Sequence, residues 1–346
     1  MGARTGIVIV GHFDEGHVGR HLAAGGAGLG LAVERCDTRQ AFSGSRWLRR
    51  MSWHLLGRRP PALRRFSEGV LRTCASARPA VLVATGLAPL TGAALRRLRH
   101  TGTVAVNYLT DDPWNPAHRG AWFLDALREY DHVFSTRRRN LAELARAGCR
   151  RVSYLPFAYA PEIHFPDGAG EAREDDDVVF VGGGDADRVP YIAALARQGM
   201  RVAVYGGYWE RFRDVAHLAR GFADARTARR AIAGARISLC LVRRANRDGH
   251  VMRTFEVPAM GGCMLLEDTD EHRELFGEDG AAVVYFRTIG EMVERARWLL
   301  AHEDDRRRLA ARARQLVVDG AHTYRDRLLT MLRTAAAAGE PEAGRR

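Results

Sequence analysis

Short runs of β-branched and other apolar residues alternate along the chain with longer stretches in which apolar positions return every three or four residues. In the first half the runs are GIVIV (6 to 10), LAVERCD (31 to 37), AVLVAT (80 to 85), TVAVNYL (103 to 109), HVFS (132 to 135) and RVSYLP (151 to 156). That rhythm predicts strands joined by helices, and so a parallel α/β sheet. A segment with Pro156, Pro161, Pro166 and the polar stretch DGAGEAREDDD follows, and then the rhythm restarts with VVFVGGG, RVAVYGG, RISLCLV, GCMLLED and AAVVYF. A linker near residues 158 to 176 therefore separates two α/β domains, expected at 1 to 160 and 161 to 335. Residues 288 to 338 read as two or three helices, and 336 to 346 as a flexible tail. Runs this apolar are buried on both faces of a sheet, and open parallel sheets bind ligands beyond the carboxyl ends of their strands. Two such Rossmann-like sheets facing each other would make an interdomain cleft.

The length of 346 residues suits two cores of roughly 150 residues each. All 53 basic residues are arginine, which excludes a Walker-type P-loop, a lysine Schiff base and a pyridoxal anchor. The net charge of +12 is unevenly placed: residues 1 to 160 carry 24 Arg against 11 acids, the remainder 29 against 30. An anionic partner for the N-terminal half follows, whether phosphorylated acceptor, membrane surface or nucleic acid. The five cysteines are scattered and form no CxxC, which suggests neither disulfides nor zinc and points to a cytoplasmic setting. The apolar run before Gly11 is too short for a signal-peptide core or a membrane span.

The block RTFEVPAMGGCMLLEDTDEHRELF, Arg253 to Phe276, places Arg253 and Glu256 three apart on one face at the start of a helix that ends at Gly261 and Gly262. A carboxylate there can accept two hydrogen bonds from the cis-diol of a ribose, and an arginine beside helix N-terminal N–H groups can hold a pyrophosphate. A solvated first-turn glutamate is the plainer alternative. Upstream, Gly182, Gly183 and Gly184 follow a strand directly and Arg188 opens the next helix. The backbone can approach a phosphate at such a turn, although a simple strand-to-helix turn and a surface arginine would read alike. The run lacks GxGxxG spacing, so no dinucleotide fold is expected. Tyr205, Gly206 and Trp209 follow the next strand, where an aromatic ring could carry a nucleobase or pack in the core.

The block resembles the C-terminal domain of the CgeB/YkvP-like glycosyltransferases, related to the group 1 sugar-nucleotide transferases. The likeness continues through VVFVGGGDADRVPYIAALARQGMRVAVYGGYW and the C-terminal helices, and more loosely through NYLTDDPWNP and YDHVFSTRRRN. It implies a GT-B fold and a sugar nucleotide, such as a UDP- or GDP-sugar, as co-substrate, with no other cofactor. Group 1 transferases bracket this helix with Glu-x7-Glu. Glu256 resembles the second member, and Asp248 stands in the place of the first. Such enzymes retain configuration and commonly need no metal.

Acceptor chemistry is sought in the N-terminal half. The first turn, GHFDEGHVGRHLA, carries His12, Asp14, His17 and His21, and GHV resembles the loop that holds the base histidine of inverting GT-B enzymes. His17 is thus a candidate base, or else an ordinary helix-start histidine. Asp111 and Asp112 end a strand, where one could orient an acceptor hydroxyl or both could cap the turn before Pro113. Residues 46 to 66 interleave arginine with Trp47, Leu48, Met51, Trp53, Leu55 and Leu56. They suit peripheral contact with the inner membrane face, or a helix whose apolar side packs inward. The aromatics are too few for a nucleic-acid platform, so no nucleic acid is expected. RRRN at 137 to 140 reads as a solvated helix face. Together these features give a retaining, metal-independent glycosyltransferase acting on a hydroxyl-bearing acceptor, an anionic one by the charge balance. The alternatives are a GT-B nucleotide-sugar epimerase or hydrolase, or a non-catalytic surface-assembly protein.

Overall fold

In the computed structural model, residues 6–55, 57–167 and 175–339 are described. The chain divides into two compact units: residues 1–156 with 245–247 and 324–346, and residues 157–244 with 248–323.

The first unit holds six parallel strands: β1 (Gly6–Gly11), β2 (Ala32–Asp37), β3 (Val81–Thr85), β4 (Val104–Leu109), β5 (His132–Ser135) and β6 (Val152–Tyr154), in spatial order β2-β1-β3-β4-β5-β6. The order reverses at β1 and β3, which places a crevice at their carboxyl ends. Helices α1 (Val18–Gly28), α2 (Arg46–Leu55), α3 (Leu63–Ala77), α4 (Gly92–His100), α5 (Ala121–Leu127) and α6 (Arg138–Arg146) make the connections. Ile7 to Val10 and Leu82 to Ala84 are essentially fully buried, as a strand covered on both faces requires. Edge strand β2 instead exposes Ala32, Glu34 and Arg35.

The second unit holds β7 (Asp176–Val181), β8 (Val202–Tyr205), β9 (Ala235–Cys240), β10 (Met264–Glu267) and β11 (Val284–Phe286), parallel and ordered β11-β10-β9-β7-β8. Its helices are α7 (Val189–Arg197), α8 (Ala225–Ala233), α9 (Arg253–Ala259), α10 (Asp270–Phe276), α11 (Ile289–Ala301) and α12 (Glu303–Asp319). One apolar cluster gathers Val178, Ile237, Leu265 and Met292, and a second gathers Val179, Phe255, Leu266 and Val317.

The last helix, α13 (Tyr324–Gly339), departs from the expected boundaries. It packs on α1 in the first unit rather than closing the second. The small residues of α1 allow this. A Cβ on Gly25 would lie 3.0 Å from the Arg325 Cα, and His21 stacks on the Tyr324 ring at 5.1 Å. His21 therefore serves packing. Residues 336–339 continue this helix, whereas 340–346 of the expected tail, and 168–174 of the linker, lie outside the described residues.

Candidate functional site

In the second unit the loops after β7 and β8 are stitched together. The Gly182 N–H donates to the Tyr205 carbonyl (2.7 Å), the Gly184 N–H to that of Gly207 (2.9 Å), and Trp209 Nε1 donates to the Gly182 carbonyl (2.8 Å). This explains most of the glycines. A Cβ on Gly206, whose φ is +136°, would lie 2.3 Å from the Gly182 carbonyl oxygen, and one on Gly184 2.8 Å from the Trp209 ring. A Cβ on Gly182 would sit 2.9 Å from the Phe180 ring. Gly183 is the uncrowded member, with nothing closer than 3.6 Å. Trp209 is fully buried, edge-on to Phe180, and so belongs to the core rather than to a base-stacking platform. Tyr205 is half-buried against the apolar cluster, and that burial pushes its phenol up. Tyr208 is an exposed aromatic of the loop, with Arg211 over its ring at 4.4 Å, and Phe222 further along the same connection is exposed too.

Arg188 is not a surface arginine. It caps α7, with its backbone N–H donating to Asp185 Oδ1 (2.9 Å) and Nη1 to the Gly183 carbonyl (2.9 Å). Its Nε is buried with no hydrogen-bond partner among the described residues, and burial draws its pKa down. A buried cation with an unmet donor favours an anion beside it.

Arg253 and Glu256 meet, as their spacing predicts. Arg253 Nε donates to the Val181 carbonyl (3.1 Å) at the end of β7, and Nη1 pairs with Glu256. Glu256 is 1% exposed, with His164 Nε2 3.7 Å from its other oxygen, so it is no solvated first-turn glutamate. The N–H groups of Thr254, Phe255 and Glu256 bond backward to Val251 and Met252. These three N–H groups are therefore not open to an anion. Asp248 is buried, its N–H donating to the Arg243 carbonyl (3.2 Å).

A buried polar network under α9 went unnoticed in the sequence. Thr254 Oγ1 accepts from the Val251 N–H (3.1 Å), and with the His272 ring neutral and its proton on Nδ1 the Thr254 hydroxyl donates to Nε2 (3.1 Å). His272 Nδ1 then donates to the Glu267 carbonyl (2.8 Å). This pattern fixes the neutral tautomer, and burial pushes the His272 pKa down to about 4. His250 is held similarly, accepting from the Phe157 N–H (3.0 Å) and facing Glu271. No short spacing links residues 18 and 21 positions apart, so only the fold reveals these pairs.

In the first unit His132, on β5, is likewise lowered to about 4, by burial and then by Arg151. Both histidines bind a proton in the unfolded chain near pH 6.5 and resist it when folded. Stability is therefore complete above that pH and falls on acidification, by at most about 1.4 kcal/mol per unit of pH for each group, until roughly pH 4. Melting temperatures from pH 7.5 to 4.5 should fall steadily, and His272→Gln should flatten the slope of the second unit's transition. An unchanged slope would refute the assignment.

Beyond β1, Gly16 (φ +79°) turns the chain into α1, capped by His17. The His12 and His17 rings lie 3.7 Å apart, His12 Nε2 bonds Asp14 (2.9 Å), and Asp14 pairs with Arg39 (2.9 Å). His17 is exposed at the helix start, and its pKa is lowered by desolvation and then by the neighbouring His12. Beyond β4 the two aspartates part company. Asp111 is half-buried, with Thr110 Oγ1 at 3.3 Å. Asp112 is 1% exposed and bound by Arg247, whose Nη2 donates to Oδ1 (2.9 Å) and whose Nη1 donates to Glu143 (2.7 Å). Asn140 Nδ2 and the Trp114 N–H also donate to Asp112 Oδ1, at 3.3 and 3.1 Å. Its carboxylate is committed, which leaves Asp111 as the acid available to a hydroxyl. RRRN is a solvated face only at Arg138 and Arg139, which are exposed; Arg137 and Asn140 are buried, Arg137 Nη2 donating to the Thr110 carbonyl (2.9 Å). Among the described residues no three His, Cys, Asp or Glu side chains group as a metal site.

Residues 188–333, under half of the chain, match the model of the glycosyl transferase-like family. Three solved structures share the fold over nearly the whole chain. Sucrose-phosphate synthase from Thermosynechococcus elongatus has a TM-score of 0.71 at 14% identity, covering 96% of this chain and 99% of that one. A glycosyltransferase from Rickettsia africae has a TM-score of 0.64 at 10% identity, covering 97% and 99%. A protein assigned as a UDP-N-acetylglucosamine 2-epimerase from Listeria monocytogenes has 0.59 at 10%, covering 97% and 96%. None of the curated proteins compared matches the chain. The architecture is GT-B: two Rossmann-like α/β domains, each with a parallel sheet.

Proposed function

We propose that the chain is a glycosyltransferase that moves a sugar from a nucleoside-diphosphate donor to a hydroxyl-bearing acceptor, with retention of configuration and without a metal. The observation that carries this reading is the Arg253–Glu256 pair beside the end of β7, inside the stretch that matches the glycosyl transferase-like family. Glu256 accepts from the ribose hydroxyls, Arg253 and Arg188 neutralise the diphosphate, and Asp248 supports the donor from the turn before α9. The leaving diphosphate gathers negative charge as the bond to the anomeric carbon breaks, and two arginines in a partly dry site stabilise it. On the first unit Asp111 orients the acceptor hydroxyl. Retention lets that hydroxyl's proton pass to the departing phosphate oxygen, so His17 need not act as a base.

The test has two parts. Melting shifts with a panel of UDP-, GDP- and ADP-sugars should single out one donor base; no shift with any would remove the reading. With that donor, release of free or epimerised sugar in the absence of acceptor would favour a hydrolase or epimerase. Asp111→Asn should then lower kcat roughly 10- to 100-fold with nucleotide affinity unchanged, and His17→Ala by less than about 3-fold. The opposite ranking would replace retention with base-assisted inversion.

A further inference from the structure

Between β2 and α3 the chain makes an excursion that the sheet itself does not require. It leaves through a 3-10 turn (Thr38–Phe42), forms α2, and returns where the Ala62 N–H donates to the Ala41 carbonyl (2.9 Å). Trp47, Met51 and Leu55 fall at i, i+4 and i+8 on α2, within roughly 80° of its circumference. This apolar stripe is open. Trp47 is 68% and Leu55 75% exposed, Met51 is half-buried, and Phe42 at the root of the excursion is 40% exposed. Ser52, on another face, is the buried side chain that ties α2 to its own exit through the Arg59 carbonyl. The inward-packed alternative thus fails for Trp47 and Leu55, whereas the side chains of Leu48, Trp53 and Leu56 lie outside the described residues.

Charge says what kind of surface the stripe meets. From Thr38 to Ser67 the chain holds eight arginines and no Asp or Glu. Arg50, Arg64 and Arg65 are exposed. No helix among the described residues is long and apolar enough to cross a membrane, so insertion deeper than the headgroups is not at issue. An exposed apolar stripe set in an acid-free basic stretch is the pattern of a helix lying in the interface of an anionic bilayer. Nucleic acid explains it less well, since Met51 and Leu55 offer bases nothing to stack on. We infer that α2 docks the protein on an anionic membrane through Trp47, Met51 and Leu55, with the surrounding arginines meeting the lipid phosphates.

The excursion is braced to both candidate acceptor loops. Arg39 pairs with Asp14 (2.9 Å), in the loop of His17. At its exit Arg58 Nη1 donates to the Arg119 carbonyl (2.9 Å), in the loop that follows Asp111, and Trp122 Nε1, on α5, donates to the Arg58 carbonyl (3.2 Å). Docking through α2 therefore holds at the membrane the excursion to which the loops of His17 and Asp111 are hydrogen-bonded. On the proposed transferase reading, and only on it, the acceptor is then a hydroxyl carried at the membrane surface, such as a lipid headgroup or a lipid-linked sugar.

Co-sedimentation of the full chain with phosphatidylglycerol and with phosphatidylcholine vesicles tests the docking without reference to catalysis. Binding is expected to the anionic vesicles at about 0.02 M salt, weakening at least about 10-fold at about 0.5 M. The double variant Trp47→Ser, Leu55→Ser should bind at least about 10-fold more weakly. Both residues are exposed, so its melting temperature and nucleotide-induced melting shift should match the parent. No sedimentation at low salt, or equal sedimentation of the variant, would overturn the inference. So would binding of a poly-uridine strand that depends on Trp47 and Leu55 where vesicles do not bind. A failed nucleotide shift with intact vesicle binding would overturn the transferase reading alone.

Discussion

Glu256→Gln is expected to weaken binding of the preferred nucleoside diphosphate by at least roughly 100-fold. A hydrogen bond to a charged group contributes about 1.5 to 3 kcal/mol, and the proposed carboxylate accepts two from one ribose. The amide keeps the volume of the side chain, which matters because Glu256 is 1% exposed inside α9. Glu256→Ala would open a cavity and strand Arg253, so lost binding could then reflect lost structure. Calorimetry gives the affinity directly, and a 2′,3′-dideoxy nucleotide completes the cycle. The parent should lose most of its affinity when the hydroxyls are removed, and the variant should lose little more. Full nucleotide affinity in Glu256→Gln would end the assignment of this carboxylate to the ribose.

Periodicity carried the strands, because a parallel sheet covered on both faces leaves nowhere for a polar residue: GIVIV and AVLVAT could be little else. The meeting of Arg253 and Glu256 was legible for a related reason, since three positions on a helix is a fixed distance. The failures share a different cause. Asp111 and Asp112 are adjacent and identical in type, and only the arrival of Arg247, 135 residues later, separates them into a half-buried and a sealed carboxylate. RRRN looks like solvated charge throughout, yet the Thr110 carbonyl takes Arg137 inward while Arg138 and Arg139 stay exposed. The glycine triplet suggests a phosphate loop, yet much of it is accounted for by the close passage of Gly206 and Trp209. Small residues on α1 give no hint that they await α13. Local spacing predicts local geometry, and long-range polar pairing has no spacing to read.

The largest effect on stability is expected at Arg247. It belongs to the short segment 245–247 that the chain places in the first unit, and it adopts a left-handed backbone, φ +53°. Non-glycine residues hold such a conformation only where the surroundings over-determine it. Here its side chain donates to both oxygens of Asp112 and both of Glu143 and lies over the Trp114 ring, while Asn246 accepts from Asn115 Nδ2 (2.6 Å). Arg247→Met keeps much of the bulk and removes the charge. Asp112 would then be a carboxylate buried with only Asn140 and the Trp114 N–H beside it. Breaking a buried pair from one side costs about 3 to 5 kcal/mol. The 27% exposure of the Arg247 side chain puts the expected loss toward the lower end. Calorimetry should resolve a first-unit transition lowered by roughly 6 to 15 °C, with the second unit's transition unmoved. Glu143→Gln should cost under about 1 kcal/mol, because Glu143 is partly exposed and water can replace its partner. Arg247 holds the Glu143 carboxyl below the usual carboxylate range, so that contribution is present at neutral pH and disappears as the solution is acidified through the lowered value. Equal losses in Arg247→Met and Glu143→Gln would mean that Asp112 does not depend on the guanidinium. The carboxylate would then be free to act on a hydroxyl, and the division of labour between Asp111 and Asp112 would have to be reversed.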